Sequence, residues 1–233
     1  MSTAGLQTSV LNPPDLYSFD AFTARVKQRF ESRADVLAAV SGDHRLNPDY
    51  NPAERETPFK PAAVLIAVVD REDGASVLLT QRAEHLNSHK GQIAFPGGKI
   101  DGDETPIEAA LREAHEEIGL TPDDVSVLGA MGTYYSGSGY AITPVIAHVR
   151  GEPQFAINED EVAELFEVPL RFLMDRENLT TESLMFKGNE RHFYVMNYAR
   201  SSKASQPSAH PERRIWGVTA GIINTVQERL YGG

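Results

Sequence analysis

The 233-residue chain contains no cysteine. Disulfides, thiolate nucleophiles and zinc-thiolate centres are thereby excluded. Basic residues are scarce: 22 Lys and Arg stand against 33 Asp and Glu, a formal charge of −11, the wrong sign for a protein that wraps nucleic acid through its phosphates. An anionic ligand must therefore have its charge met locally. No apolar run approaches the ~18 residues of a membrane-spanning helix. The opening MSTAGLQTSVLNPPD has no apolar stretch between a basic start and a small-residue cleavage site. A cytoplasmic protein with neither nucleic-acid nor membrane partners is expected. Internal repeats and low-complexity tracts are missing too. The remainder, 41% hydrophobic and 24% charged, is ordinary globular composition. The length suits one large core with appended helices.

Residues 18 to 31, SFDAFTARVKQRFE, place Phe19, Phe22, Val26 and Phe30 at helical spacing, so an amphipathic helix covering the core is expected there. Residues 41 to 60 are proline-rich and poor in large apolar side chains, and read as a loop or linker, as does SSKASQPSAHPER at 201 to 213. This divides the chain into an N-terminal helix and linker, 1 to 60, and a main domain, 61 to 233. AAVLIAVVD (62 to 70) and SVLLTQR (76 to 82) flank REDGA, a hairpin signal with Gly74 in the turn. QIAF runs into Pro96-Gly97-Gly98, and VSVLGAM, ITPVIAHV and FYVMNY read as further strands, with a helix from Trp216 to Gly232. Strands on both sides of a central helix, without regular alternation, predict an α/β fold with a mixed sheet packed between helices.

That central helix lies in GGKIDGDETPIEAALREAHEEIGL, residues 97 to 120, which holds seven acidic side chains. Thr105 as N-cap, Pro106 at the first helical position and Glu108 three residues past the cap predict its start; Gly119 supplies the stop. Ile107, Ala110, Leu111, Ala114 and Ile118 gather on one stripe, taken as the face against the sheet. Glu113, Glu116 and Glu117 fall within about 100° of one another and are expected together at the edge of the core. Carboxylates at this spacing repel, and a bound divalent cation reverses the sign of their interaction. An all-oxygen site of this kind suits Mg²⁺ or Mn²⁺. Arg112, one turn before Glu116, can hold that carboxylate by an ion pair. The plain alternative is a solvated acidic face.

Gly98, Glu104, Arg112, Glu113, Glu116, Glu117 and Gly119 fit the pattern G-x5-E-x7-R-E-U-x-E-E-x-G-U, with Ala114 and Leu120 at its apolar positions. In this frame the sequence resembles the Nudix hydrolases. The resemblance implies an α/β/α sandwich that hydrolyses a nucleoside diphosphate linked to another group, with Mg²⁺ or Mn²⁺. It further implies Glu113 and Glu117 as the main metal ligands, Glu116 completing the metal shell or orienting a water, Arg112 positioning the glutamates, and the Gly98 backbone approaching the metal. Glu104 is implied to be structural or an outer group.

Upstream, LLTQRAEHLNSHKGQIAFPGG (78 to 98) resembles the extra motif of the coenzyme A diphosphatase branch, LLTxR[SA]x3Rx3Gx3FPGG. Leu78, Leu79, Thr80, Arg82, Ala83, Gly91, Phe95, Pro96, Gly97 and Gly98 match, whereas Asn87 stands where the pattern has Arg. An asparagine cannot grip a phosphate as an arginine does. His89 and Lys90 are the neighbours able to cover the missing charge; Arg82, Lys90 and Gly97 are the expected substrate contacts. NEDEVAELFEVPL (158 to 170) and IWGVTA (215 to 220) also resemble that branch. Glu161 is the expected loop carboxylate that contacts the metals or takes the proton from water, with Asp160 and Glu164 as rivals. Phe95 and Trp216 are read as packing residues. The implied substrate is a coenzyme A-like nucleotide. ADP-ribose or another nucleoside diphosphate derivative is the alternative that Asn87 supports. A non-catalytic nucleotide-sensing module, the reading from another class, is disfavoured by the intact carboxylates. Oligomeric state is not readable.

Overall fold

The structure, a computed structural model, describes residues 15–31, 40–86, 88–186, 188–199 and 212–232. Among the described residues the elements run from helix α1 (Phe19–Glu31) through strands β1 (Ser41–Gly42), β2 (Lys60–Val69), β3 (Ser76–Arg82), β4 (Ile93–Ala94) and β5 (Gly97–Lys99). Helix α2 (Pro106–Ile118) precedes β6 (Val125–Ala130), β7 (Tyr134–Tyr135), β8 (Tyr140–Val149) and β9 (Val162–Pro169). Helix α3 (Leu170–Met174), strands β10 (Thr180–Phe186), β11 (Asn189–Ala199) and β12 (Glu212–Trp216), and helix α4 (Val218–Tyr231) complete the order.

β2 divides two cores. Ala63, Leu65, Ala67 and Val69 pack on one face with Ala109, Ala110, Ala114 and Ile118 of α2. Ala62, Ile66 and Val68 pack on the other with Phe22 and Val26 of α1 and Ile222 and Ile223 of α4. Burial on both faces is why this strand reads as an unbroken apolar run. The main sheet runs β1-β7-β8-β2-β3-β4, with β5 also paired to β2, β6 to β8 and β9 to β3. β2 and β8 are parallel and β2 and β3 antiparallel, so the sheet is mixed and lies between helices, as expected.

Three expectations are corrected. On α2, Ile107 is 36% exposed whereas Ala109 is fully buried. The helix packs through Ala109, Ala110, Ala114 and Ile118; the three alanines keep it close to the sheet, and Glu117 is buried beside them. Residues 41 to 60 do not form a free linker: β1 pairs with β7, and Asn47 is buried. Its side-chain amide donates to the Asp43 and His192 carbonyls at 2.8 and 2.9 Å and accepts from the His192 amide at 2.9 Å. Arg45 adds an ion pair with Glu228 on α4. Finally, FYVMNY is the middle of a second sheet, β10-β11-β12, whose outer strands the sequence pattern did not signal. β10 is exposed at all seven positions and so carries no alternation, and β12 places a charged residue, Arg213, in a buried position. Most of the loop expected at 201 to 213, residues 201–211, lies outside the described residues. Among the described residues no helix is long and apolar enough to cross a membrane.

Candidate active site

α2 starts and stops where its sequence directs. Thr105 accepts from the Glu108 amide while Glu108 accepts from the Thr105 amide, and Gly119 closes the helix in the left-handed region at φ 71°. β5 runs alongside, and its two glycines do different things. Gly97, at φ 154°, lies flat on β2, where an added Cβ would come 2.4 Å from the Ala63 carbonyl and 2.6 Å from Val64 Cα. That close approach aims its amide at Glu117, at 3.2 Å. Gly98 instead faces Glu113, whose Oε1 would be 2.3 Å from a Cβ there.

The three glutamates are not equivalent, as the helical-wheel reading would have them. Glu117 is 3% exposed and lies within the protein, Glu113 is half-buried, and Glu116 is exposed. Burial pushes the Glu117 carboxyl up to about 7, against the Gly97 amide and the Arg82 guanidinium, which favour the charged form. Burial also raises Glu113, opposed by Arg112. Arg112 is the hub: it donates to Glu104 at 2.7 and 3.1 Å, to Glu113 at 3.0 Å, to Glu116 at 3.1 Å and to the Lys99 carbonyl at 3.0 Å. Glu104, expected as structural, is the arginine's anchor, and this contact draws its carboxyl below the usual range.

These groups open into a cleft of about 1000 Å³ that collects Arg82, Gly97, Gly98, Arg112, Glu113, Glu116, Glu117 and Glu161. Arg82 reaches to 3.8 Å from Glu117, and its buried Nε has no hydrogen-bond partner among the described residues. Of the three loop carboxylates, Glu161 lines the cleft and its charge acts on both Glu113 and Glu117. Asp160 is exposed and outside the lining; Glu164 is taken up by a bidentate pair with buried Arg213, at 2.6 and 2.8 Å. Lys90 is exposed and outside the lining, whereas Ser88, His89 and Gln92 are within it. Asn87 lies outside the described residues. Phe95 is 4% exposed in the core, and Trp216 packs edge-on to Phe193 at 5.3 Å between centroids, at the cleft wall. Sequence reasoning missed the contribution of Asp43, Asn47, Tyr50 and Arg191 to the same cleft. They come from separate segments and carry no local signal.

A profile of the NUDIX domain matches residues 59–195. The chain belongs to the Nudix hydrolases. It is 37% identical over 170 residues to a Yersinia pestis protein named "Uncharacterized Nudix hydrolase NudL", covering 72% of this chain and 79% of the relative. Among solved structures it is similar to the Nudix hydrolase RenU of M. smegmatis, with 31% identity, 48% of this chain and 72% of that one covered, and a TM-score of 0.42. A MutT/nudix family protein from Enterococcus faecalis aligns over 89% of this chain and 74% of its own, with 20% identity and a TM-score of 0.44.

This Nudix chain is thus a phosphoanhydride hydrolase, and Nudix hydrolases in general use divalent cations. The donor set here fits a hard cation: carboxylates and backbone oxygens, with no sulfur and with Gly98 leaving room at the Glu113 head. Around Arg82 and Arg112 the described residues gather Asp101, Glu104, Glu113, Glu116, Glu117 and Glu161, an excess of carboxylate over guanidinium. Among the described residues no three acidic or histidine side chains already converge at ligating distance. The reason is visible: Glu113 and Glu116 both turn to the Arg112 fork, while Glu117 turns to Gly97.

The paired glycines yield a prediction. Gly98→Ala meets only the movable end of Glu113, so thermal unfolding should stay within a few degrees of wild type while activity falls at least about 10²-fold. Gly97→Ala meets backbone and should lower the melting temperature clearly. Equal losses of stability in the two variants would show that the Gly98 space does not serve the carboxylate.

Proposed function

We propose that this Nudix hydrolase cleaves the diphosphate bond of coenzyme A or its derivatives, releasing 3′,5′-ADP and 4′-phosphopantetheine or its acyl form. The reading rests on one observation above the rest: the ten matched positions of the LLTxR…FPGG pattern include Arg82, and Arg82 stands in the cleft beside Glu117 with a buried N–H that has no partner among the described residues. An unpaired buried donor favours an anionic oxygen as its partner.

Glu113 and Glu117 would hold Mg²⁺ or Mn²⁺ with Glu116 and the Gly98 backbone. The ion, when bound, draws charge from the diphosphate oxygens. Arg112 keeps Glu113 and Glu116 aligned, and its link to Glu104 keeps the guanidinium in place when a carboxylate turns away. Glu161 takes the proton of a water that attacks one phosphorus in line, and the other phosphate departs with the P–O bond electrons. Arg82 and the Gly97 segment meet the diphosphate. His89, which lines the cleft, would offer the substrate a ring nitrogen, a contact for which the exposed Lys90 is less well placed.

ADP-ribose or another nucleoside diphosphate derivative is the second reading, favoured by Asn87 in place of the pattern's arginine. Coenzyme A, 3′-dephospho-coenzyme A and ADP-ribose, each incubated with Mg²⁺ or Mn²⁺ and analysed by mass spectrometry, separate the two. A kcat/KM highest for coenzyme A, with 3′,5′-ADP as product, is expected. A preference for ADP-ribose, or indifference to the 3′-phosphate, would replace the first reading with the second.

A further inference from the structure

The hydrolytic groups come from the main sheet, α2 and the stretch at Glu161, but the same cleft is also walled by the second sheet. Arg191 of β11 lies on that wall, directly opposite Leu184 of β10, and both line the cleft. No step of the hydrolysis uses it. Two contacts from outside its sheet fix where it stands. Asn47 exchanges hydrogen bonds with the amide and carbonyl of His192, the next residue along β11, at 2.9 Å each. Tyr50, from the same segment as Asn47, carries the Arg191 guanidinium over its ring, 5.9 Å from the centroid, and donates its own hydroxyl to the Ser136 carbonyl at 3.2 Å. A cation over a ring is held by its charge, which leaves the N–H donors of the guanidinium unused.

The charge around Arg191 sets it apart from the other cations of the cleft. Arg112 is engaged by Glu104, Glu113 and Glu116, and Arg82 faces Glu117 at 3.8 Å. Lys99 is exposed, and its carbonyl accepts from Arg112, which places it among the glutamates. Arg191 is half-buried and makes no ion pair among the described residues. In a chain of charge −11, a partly desolvated guanidinium without a carboxylate gives up hydration for no electrostatic return. An anion arriving from solvent supplies that return.

Coenzyme A brings two anionic groups. Its diphosphate goes to the metal-binding glutamates and Arg82, and its 3′-phosphate, a monoester on the ribose, needs a cation of its own. The 78 to 98 segment, with Asn87 in place of the pattern's arginine, lacks the second arginine that the pattern would supply. We infer that Arg191, backed by Tyr50, binds the 3′-phosphate monoester and so determines specificity for it, an inference that rests on the reading of this enzyme as a coenzyme A hydrolase. ADP-ribose has no such monoester and gains nothing from this arginine.

The test measures coenzyme A and 3′-dephospho-coenzyme A with wild type, Arg191→Gln, Arg191→Lys and His89→Ala. In Arg191→Gln the ratio of kcat/KM for coenzyme A to that for the dephospho form should fall at least about tenfold, with the loss for coenzyme A carried by KM rather than kcat. Arg191→Lys keeps a point charge without the fork, so it should retain more of the ratio than the glutamine variant. His89→Ala should affect both substrates alike. Because Arg191 makes no ion pair within the described protein, its variants should melt close to wild type. A wild-type preference for coenzyme A that survives in both Arg191 variants overturns the inference and leaves the proposed function standing. A wild type indifferent to the 3′-phosphate removes both.

Discussion

Replacing Glu117 by glutamine is expected to lower metal-dependent hydrolysis at least about 10²-fold while making the metal-free protein more stable at alkaline pH. The two halves share one cause. A carboxyl 3% exposed, with one amide donor at 3.2 Å and an arginine at 3.8 Å, is under-solvated when charged. Its folded-state value of about 7 lies above the ordinary 4.5, so the neutral form is the one the fold favours. The stability this contributes is complete below pH ~4.5 and is lost as pH rises through about 7. In chelator, wild type should therefore melt several degrees below Glu117→Gln at pH 8, and the gap should close towards pH 5. Adding Mg²⁺ or Mn²⁺ at pH 8 should raise the melting temperature of wild type and leave the variant nearly unmoved. Full activity in the variant would remove Glu117 from the metal shell. A gap that does not depend on pH would show that the charge on Glu117 is not what destabilises the metal-free protein.

The second large effect lies away from the chemistry. Arg213 on β12 has a side chain 1% exposed, stacked over Phe166 at 3.7 Å and held by Glu164 of β9. This pair joins the small sheet to the main one. Glu164→Ala removes a bidentate carboxylate from a buried guanidinium that keeps its other contacts, and should cost about 2 kcal/mol, lowering Tm by roughly 4–8 °C; the figure is below that of a fully broken buried pair because Glu164 is a third exposed and Arg213 stays stacked on Phe166. Replacing both partners with apolar residues, Glu164→Leu and Arg213→Met, should recover most of the loss, since neither charge is then stranded. Activity per folded molecule should be kept in Glu164→Ala and lost in Glu161→Ala. The reverse pattern would move the proton-accepting role from 161 to 164.

Why 161 and 164 had to be separated by structure is instructive. Both are glutamates in one acidic stretch, NEDEVAE, and nothing within that stretch ranks them. The partner that claims Glu164 is 49 residues away, on a strand whose buried arginine reads as a surface residue. The same holds for residues 43 to 50. Their polar composition describes a loop correctly, but Asp43 accepts from Tyr134 and Gly137, Tyr50 donates to the Ser136 carbonyl and Asn47 grips His192, and these distant contacts bring the segment to the cleft. α2 is the opposite case. Its cap, first-turn proline, terminating glycine and acidic triplet act on neighbours within one or two turns, so they can be read directly. Even there the spacing misjudges the angle: it runs the apolar stripe through Ile107, whereas Ala109, Ala110, Ala114 and Ile118 form the buried face and Glu117 turns inward beside them.

Sequence alone determined the frame of Gly98, Arg112 and the three glutamates, and with it the family and the class of chemistry, because those residues are spaced along one helix and the strand before it. Tertiary structure alone decided where each carboxylate lies: Glu117 sunk and poorly solvated, Glu113 beside the glycine gap, Glu116 in the open, Glu161 in the cleft and Glu164 bound elsewhere. Solvation and pairing belong to the space around a side chain. That space is filled by residues far off in the chain, and only folding assembles it.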